Sequence, residues 1–281
     1  MKPRQLLAGI LGGLLGSALA AGPDPRVQDL RLEEQISQAQ KLSVEAGQAY
    51  QEWLNGRIKP KAAETLVESR LQGMAAFQGQ AATLAAPVSQ TSVRHWARMQ
   101  KQELQYYLTD IRQKPPQPRT QALLQQRWQN AVEIQSDLLE TRRRQLQVVE
   151  KQSGNPRAVA YYRWRAQMLP VLQAELNLAR DVAQAFQQQN QTARLTGKAL
   201  ALHDLAAAIQ PPAFCKQAHQ LYVERFVTLG RLCASAQQAI SAPDQDSVSN
   251  LQDDEEVYRK KALASDDASL AVLSSLLSKP R

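Results

Sequence analysis

Histidine, cysteine and glycine are scarce in this chain, at three, two and twelve residues in 281. With two cysteines there is no C-x-x-C-H haem attachment motif, and with three scattered histidines no H-E-x-x-H zinc helix. The few glycines build neither a phosphate loop nor a G-x-S-x-G elbow. "RLTGKAL" at 194 to 200 has Gly-Lys but lacks the upstream glycine and the following Ser or Thr. No stretch alternates with period two, which excludes a sheet with one wet face. Beyond the first twenty residues no apolar run is long enough to span a bilayer, since "ASLAVLSSLLS" at 268 to 278 is short and serine-rich.

The start of the chain supplies what the rest lacks. Lys2 and Arg4 precede an uncharged apolar run from Leu6 to Leu15, followed by Ala18-Leu19-Ala20, and Pro23 and Pro25 disfavour helix beyond. That order predicts a secretory signal peptide over residues 1–20, cleaved after Ala20. The run is too short for an anchoring helix. The expected mature protein is extracytoplasmic, periplasmic or secreted, with no transmembrane segment. Losing Lys2 and Arg4 lowers the formal charge from +8 to +6. Residues 243 to 281 hold eight acidic and five basic side chains, which leaves about +9 on residues 21 to 242. Such a surplus permits weak attraction to an anionic envelope polymer. The basic residues are mostly interleaved with acidic ones, as on an ordinary solvated surface.

Glutamine is abundant at 38 residues, and with Ala and Leu it favours helix. Leu32, Ile36, Ala39, Ser43, Ala46, Tyr50 and Trp53 step by fours and threes on one helical stripe. Asn55-Gly56 suits a left-handed cap, and Pro60 suits the first turn of a second helix. That helix turns Ala63, Val67, Leu71, Met74, Phe77, Ala81 and Leu84 inward and stops near Pro87. A third is expected from Ser89 to Lys114, before "KPPQP", and a fourth from Thr120 to Lys151. A fifth follows "QSGNPR" and contains Pro170. A sixth covers Ala193 to Ile209, a seventh 213 to 241 and an acidic eighth 249 to 277.

The expected fold is therefore all-α: about eight antiparallel amphipathic helices in one or two up-and-down bundles. Dividing at "KQSGNPR" gives an N-terminal bundle at 21–153 and a C-terminal bundle at 154–281, the latter ending in the acidic helix. Trp53, Trp96, Trp128 and Trp164 fall in four different helices and read as core anchors.

Three groups of residues carry candidate chemistry. Cys215, His219, Tyr222, Phe226, Leu229 and Cys233 share one helical face. On a continuous helix the two thiols lie about 27 Å apart, far beyond disulfide reach, so no disulfide is expected. Cys215 with His219, and His95 with Met99, have i, i+4 spacing that suits two metal ligands, the second pair matching monovalent copper. Neither pair completes a site, and core packing is the simpler expectation for both. Arg142, Arg143 and Arg144 end one helical region, and Arg157, Arg163 and Arg165 begin the next. In a helical hairpin these six approach one another as a candidate anion site.

The resulting expectation is an exported, non-enzymatic binding or scaffolding component of the cell envelope. Its partner would be an envelope protein or an anionic polymer, with no nucleic acid, cofactor or bound metal. The alternative is a helical metal- or haem-binding protein using His95 and Met99 or Cys215 and His219. An enzyme of unknown reaction is the third reading, because catalytic partners need not be neighbours in sequence.

Overall fold

The structure, a computed structural model, describes residues 25–84, 90–113, 155–188 and 194–277. It also describes the helical residues Ser136, Leu139, Glu140, Arg142, Arg143 and Leu146. The expected signal peptide, Pro87, "KPPQP", Trp128, Arg144 and most of the predicted fourth helix lie outside the described residues, as do the side chains of Ala81 and Leu84.

Among the described residues the structure is helical, without strands. Seven long helices are present: α1 (Pro25–Leu54), α2 (Pro60–Leu84), α3 (Gln90–Arg112), α4 (Pro156–Gln188), α5 (Leu195–Ala208), α6 (Lys216–Ser241) and α7 (Gln245–Leu277). None of these is long and apolar enough to cross a membrane.

Local chemistry sets the ends. Gly56 has φ of 69°, and its N–H and that of Arg57 bond back to the carbonyls of Trp53 and Glu52 at 3.0 and 2.8 Å. This double closure stops α1, and glycine adopts its left-handed backbone without strain. Pro25, read above as discouraging helix, opens α1 instead. A proline at the first helical position gives up an N–H that had no partner, and its φ is already helical. Helix α7 begins four residues before its expected start. Asp244 Oδ1 accepts from the Ser247 amide at 2.7 Å, while Ser247 Oγ accepts from the Asp244 amide at 3.1 Å. That reciprocal pair satisfies N–H groups the helix cannot.

Helices α1, α2 and α3 form an up-down-up bundle. Arg70 on α2 meets Glu45 on α1, and Arg112 on α3 meets Glu64 and Glu68 on α2. Its core includes Leu32, Ile36, Tyr50, Met74, Trp96, Leu104 and Tyr107, all 0–1% exposed. A second core joins α4, α5, α6 and α7, with Tyr161, Trp164, Leu172, Phe226, Leu232 and Leu251 inside. Lys198 on α5 reaches Asp181 on α4, and Tyr222 on α6 reaches Asp266 on α7, so neighbours in sequence run antiparallel.

Leu139 and Leu146 pack in this second core, although the expected division near residue 154 puts them in the first bundle. The spacing of apolar residues shows which face of a helix is buried, not which helix covers it. Pro170 sits inside α4, where it deprives the Ala166 carbonyl of its usual partner. Ala166, Leu169 and Pro170 border an open groove of about 470 Å³ shared with Leu139, Glu140 and Arg143.

Candidate functional site

The two cores meet along α1, and the meeting is polar. Residues Asp29, Glu33 and Ser37 recur every four positions on α1, beside the apolar stripe of Leu32, Ile36 and Ala39. The helix therefore serves the first core with one face and offers carboxylates to the second half with another. Residues 37 and 51 of α1 meet residues 267 and 252 of α7, which makes this an antiparallel pairing.

At its centre is Arg142, 4% exposed. Its guanidinium donates to Glu33 at 3.3 and 3.4 Å and to Asp266 at 3.3 and 3.4 Å, bridging α1 and α7. Arg165 on α4 is 6% exposed. It donates to Tyr161 Oη and Ser269 Oγ at 2.9 Å each and stands 3.8 Å from Glu33. Tyr222 donates to Asp266 at 2.8 Å, and Tyr162 donates to Asp29 at 2.9 Å. Further along, Arg225 on α6 grips Glu175 on α4 bidentately at 2.8 and 2.6 Å, and Tyr258 on α7 donates to the same carboxylate at 2.5 Å. Arg259 extends the polar contact to α3 by donating to Glu103 at 2.9 Å and to Tyr107 at 3.1 Å.

The electrostatics follow from burial and neighbours. Burial opposes the charge on Arg142, but Asp266 and Glu33 beside it hold the guanidinium protonated above its ordinary range. Burial likewise disfavours ionised Asp266; the nearby Arg142 and Arg225, with the Tyr222 hydroxyl, outweigh it and lower its pKa. Asp29 goes the other way. Burial, then the negative charge of Glu33, raise it to about 7 against the pull of Arg165, Tyr162 and Arg142. Burial raises the Tyr222 hydroxyl above its usual value, and Asp266 adds to the effect.

The five described candidate arginines are not grouped around a shared open anion site. Arg142 and Arg165 are buried among carboxylates, and Arg143 is exposed and paired with Glu140 at 2.9 Å. Arg157 and Arg163 are exposed, with the Arg157 guanidinium 4.9 Å above the Phe214 ring. The physical reason for the difference is that a hairpin brings the backbones near but does not fix where each side chain points. Arg142 lies on the inner face of its helix and Arg143 on the outer one.

The thiol and imidazole candidates also fall in packed surroundings. Cys215 and Cys233 are buried free thiols, and burial pushes both up to about 12. Cys215 closes a short turn, Ala213–Cys215, before α6 begins, rather than lying in the helix as the sequence suggested. Pro211 and Pro212 supply no amide donors, and the Cys215 N–H bonds the Pro212 carbonyl at 2.8 Å. His219 Nδ1 accepts from Trp164 Nε1 at 3.3 Å, and burial lowers its proton affinity. Met99 is 7% exposed in the first core, with His95 half-buried one turn before it. Among the described residues no three His, Cys, Asp or Glu side chains are grouped so as to hold a metal ion.

The residues that sequence reasoning missed are Asp29, Glu33, Glu175, Arg225 and Asp266. A signal was present in some of them. Arg225 and Glu175 each lie immediately before a residue of an apolar stripe, Phe226 and Leu176, where a solvated charge is out of place. The arrangement as a whole can bind protons and fix helix register, and its charges are enclosed between the helices. The chain matches no protein-family model, and the searches of curated proteins and of solved structures find no match.

Proposed function

We propose that this is an exported, non-enzymatic binding or scaffolding protein of the cell envelope, and that it engages a helix of an envelope protein through the outer face of α5. The observation that supports this most is the exposure of Leu200 and Leu205, at 57% and 56% the most exposed large apolar side chains among the described residues. Gly197, Ala201 and Ala208 are exposed between or beside them and would let another helix approach closely. Lys198, paired with Asp181, borders the face beside Leu205, and the exposed Asp204, beside His203, lies between the two leucines and gives a partner helix a carboxylate to meet. A helix with an apolar stripe fits this better than an anionic polymer, because two of the arginines a polymer would need are buried. The leader-like residues 1–20 support export.

The test is co-purification from envelope extract with the mature protein and with Leu200→Glu/Leu205→Glu. A partner captured in stoichiometric amount by the native face and lost from the double variant is the expected result. Equal capture by both removes α5 from the proposal. Stoichiometric copper, zinc or haem in the natively purified protein would replace it with the metal-binding alternative.

A further inference from the structure

Charge is unequal where the two cores meet. Around Arg142 the described residues set three buried carboxylates, Asp29, Glu33 and Asp266, against two buried guanidiniums, Arg142 and Arg165. The Arg225–Glu175 pair is neutral in itself and leaves the difference unchanged. Glu33 and Asp266 both receive Arg142 directly. Asp29 is the carboxylate whose hydrogen-bond donor is a neutral hydroxyl, that of Tyr162. It is 7% exposed and one helical turn from Glu33. A buried carboxylate without its own counter-charge is held more easily as the neutral acid.

We propose that this seam is a proton-operated latch. With Asp29 protonated, α1 lies closed against α4 and α7; with Asp29 ionised, two carboxylates one turn apart loosen that end of α1 and the two cores part there. The groups acting on Asp29 come from each element packed around it. Glu33 lies on its own helix, Tyr161, Tyr162 and Arg165 on α4, and Arg142 on the helical segment that includes residues 139 and 146. Asp266 of α7, with Tyr222 of α6 bonded to it, lies on the far side of Arg142.

The direction follows from proton linkage. Asp29 rises from 3.8 to about 7 in the closed state, so that state holds a proton that the opened chain releases. The contribution of Asp29 to closure is complete below about pH 4 and is lost as pH rises to about 7. His219 runs the opposite way, because burial lowers its pKa and favours its neutral form. Comparison with an Asp29 variant separates the two.

The experiment uses the mature chain and Asp29→Asn, which keeps an oxygen to accept from Tyr162 and cannot ionise. Amide exchange of residues 29–37, corrected for intrinsic rate, is followed from about pH 4 to 8. In the wild type the opening constant should rise on the order of five hundredfold between those limits, at tenfold per pKa unit, while residues 226–236 of α6 stay protected. In Asp29→Asn the 29–37 segment should stay closed throughout. Parallel behaviour of the two proteins, or no opening in the wild type, overturns the latch. Should Asp29→Asn fail to fold, carbon NMR of the Asp29 carboxyl in the wild type decides. A midpoint above about pH 6 supports the latch, and one nearer the ordinary aspartate value overturns it.

Discussion

The first core and the second half of the molecule use the same material in opposite ways. In the α1–α3 bundle the interior is mainly aromatic and aliphatic, and its buried carboxylate, Glu103, lies at the edge that meets α7. Tyr50 stacks on Tyr107 with centroids 4.7 Å apart, Phe77 meets the edge of Trp96 at 5.3 Å, and ion pairs such as Arg112–Glu64 lie outside. Across α4, α6 and α7 the arginines and carboxylates are inside, with tyrosine hydroxyls completing their hydrogen bonds. The difference teaches that helix amphipathicity has two meanings here. An apolar stripe can face oil on both sides, or it can flank charges that are buried only because another helix supplies the opposite sign. Buried pairs of the second kind add little net stability over an apolar replacement, yet removing one member leaves a charge without water or partner.

Substitutions can sharpen that contrast, beginning with the most damaging. Arg225→Ala strands Glu175 and should lower unfolding free energy by about 3–5 kcal/mol, read as a fall in the urea midpoint. Replacing Arg225 and Glu175 together by Met and Leu should restore much of this loss; if the double variant is no better than the single, the unpaired-charge account is wrong. Met74→Ala in the first core should lose roughly 2–5 kcal/mol through cavity formation, with no recovery from any charge change. Cys233→Ala should lose on the order of 1 kcal/mol for a small cavity and leave non-reducing gel mobility unaltered, since both thiols are free. Gly79→Ala, on an exposed helical position where an added methyl meets nothing within 4 Å, should stabilise by roughly 0.5–1 kcal/mol. Arg112→Ala, which removes two surface ion pairs, to Glu64 and Glu68, should leave the thermal midpoint nearly unmoved.

Much of the first bundle could be read from its residues. The stripe from Leu32 to Trp53, the Asn55-Gly56 stop and the inward Trp96 are local patterns, and local patterns encode local structure. The seam was not legible in the same way. Asp29 and Glu33 at i, i+4 look like a solvated edge of α1, and nothing near them in sequence announces Arg142 or Asp266. The pairing of Ser37 with Asp267 joins residues 230 apart, a relation that periodicity does not carry. Arg142 and Arg165 stand out in the sequence as charged residues near one helical hairpin, but Arg142's role as a buried bridge depends on carboxylates contributed by helices at both ends of the described chain. Pro25 and the Ala213–Cys215 turn depart from the sequence expectation for a smaller reason: proline and its neighbours mark a boundary without saying which side of it is helical.

The antiparallel seating of α1 on α7 has a kinetic consequence. Residues 29 to 37 are synthesised early, Arg142 and Arg165 that offset Glu33 come more than a hundred positions later, and Asp267 of α7, which Ser37 meets, comes 230 positions later. Closing so long a loop is slow compared with forming the neighbouring hairpins. The two cores should therefore collapse first, each about its own sequence-local contacts, and the seam should form in a late, rate-limiting phase. A stopped-flow refolding experiment should show that Glu33→Gln alters the slow phase alone, whereas Met74→Ala alters the fast one.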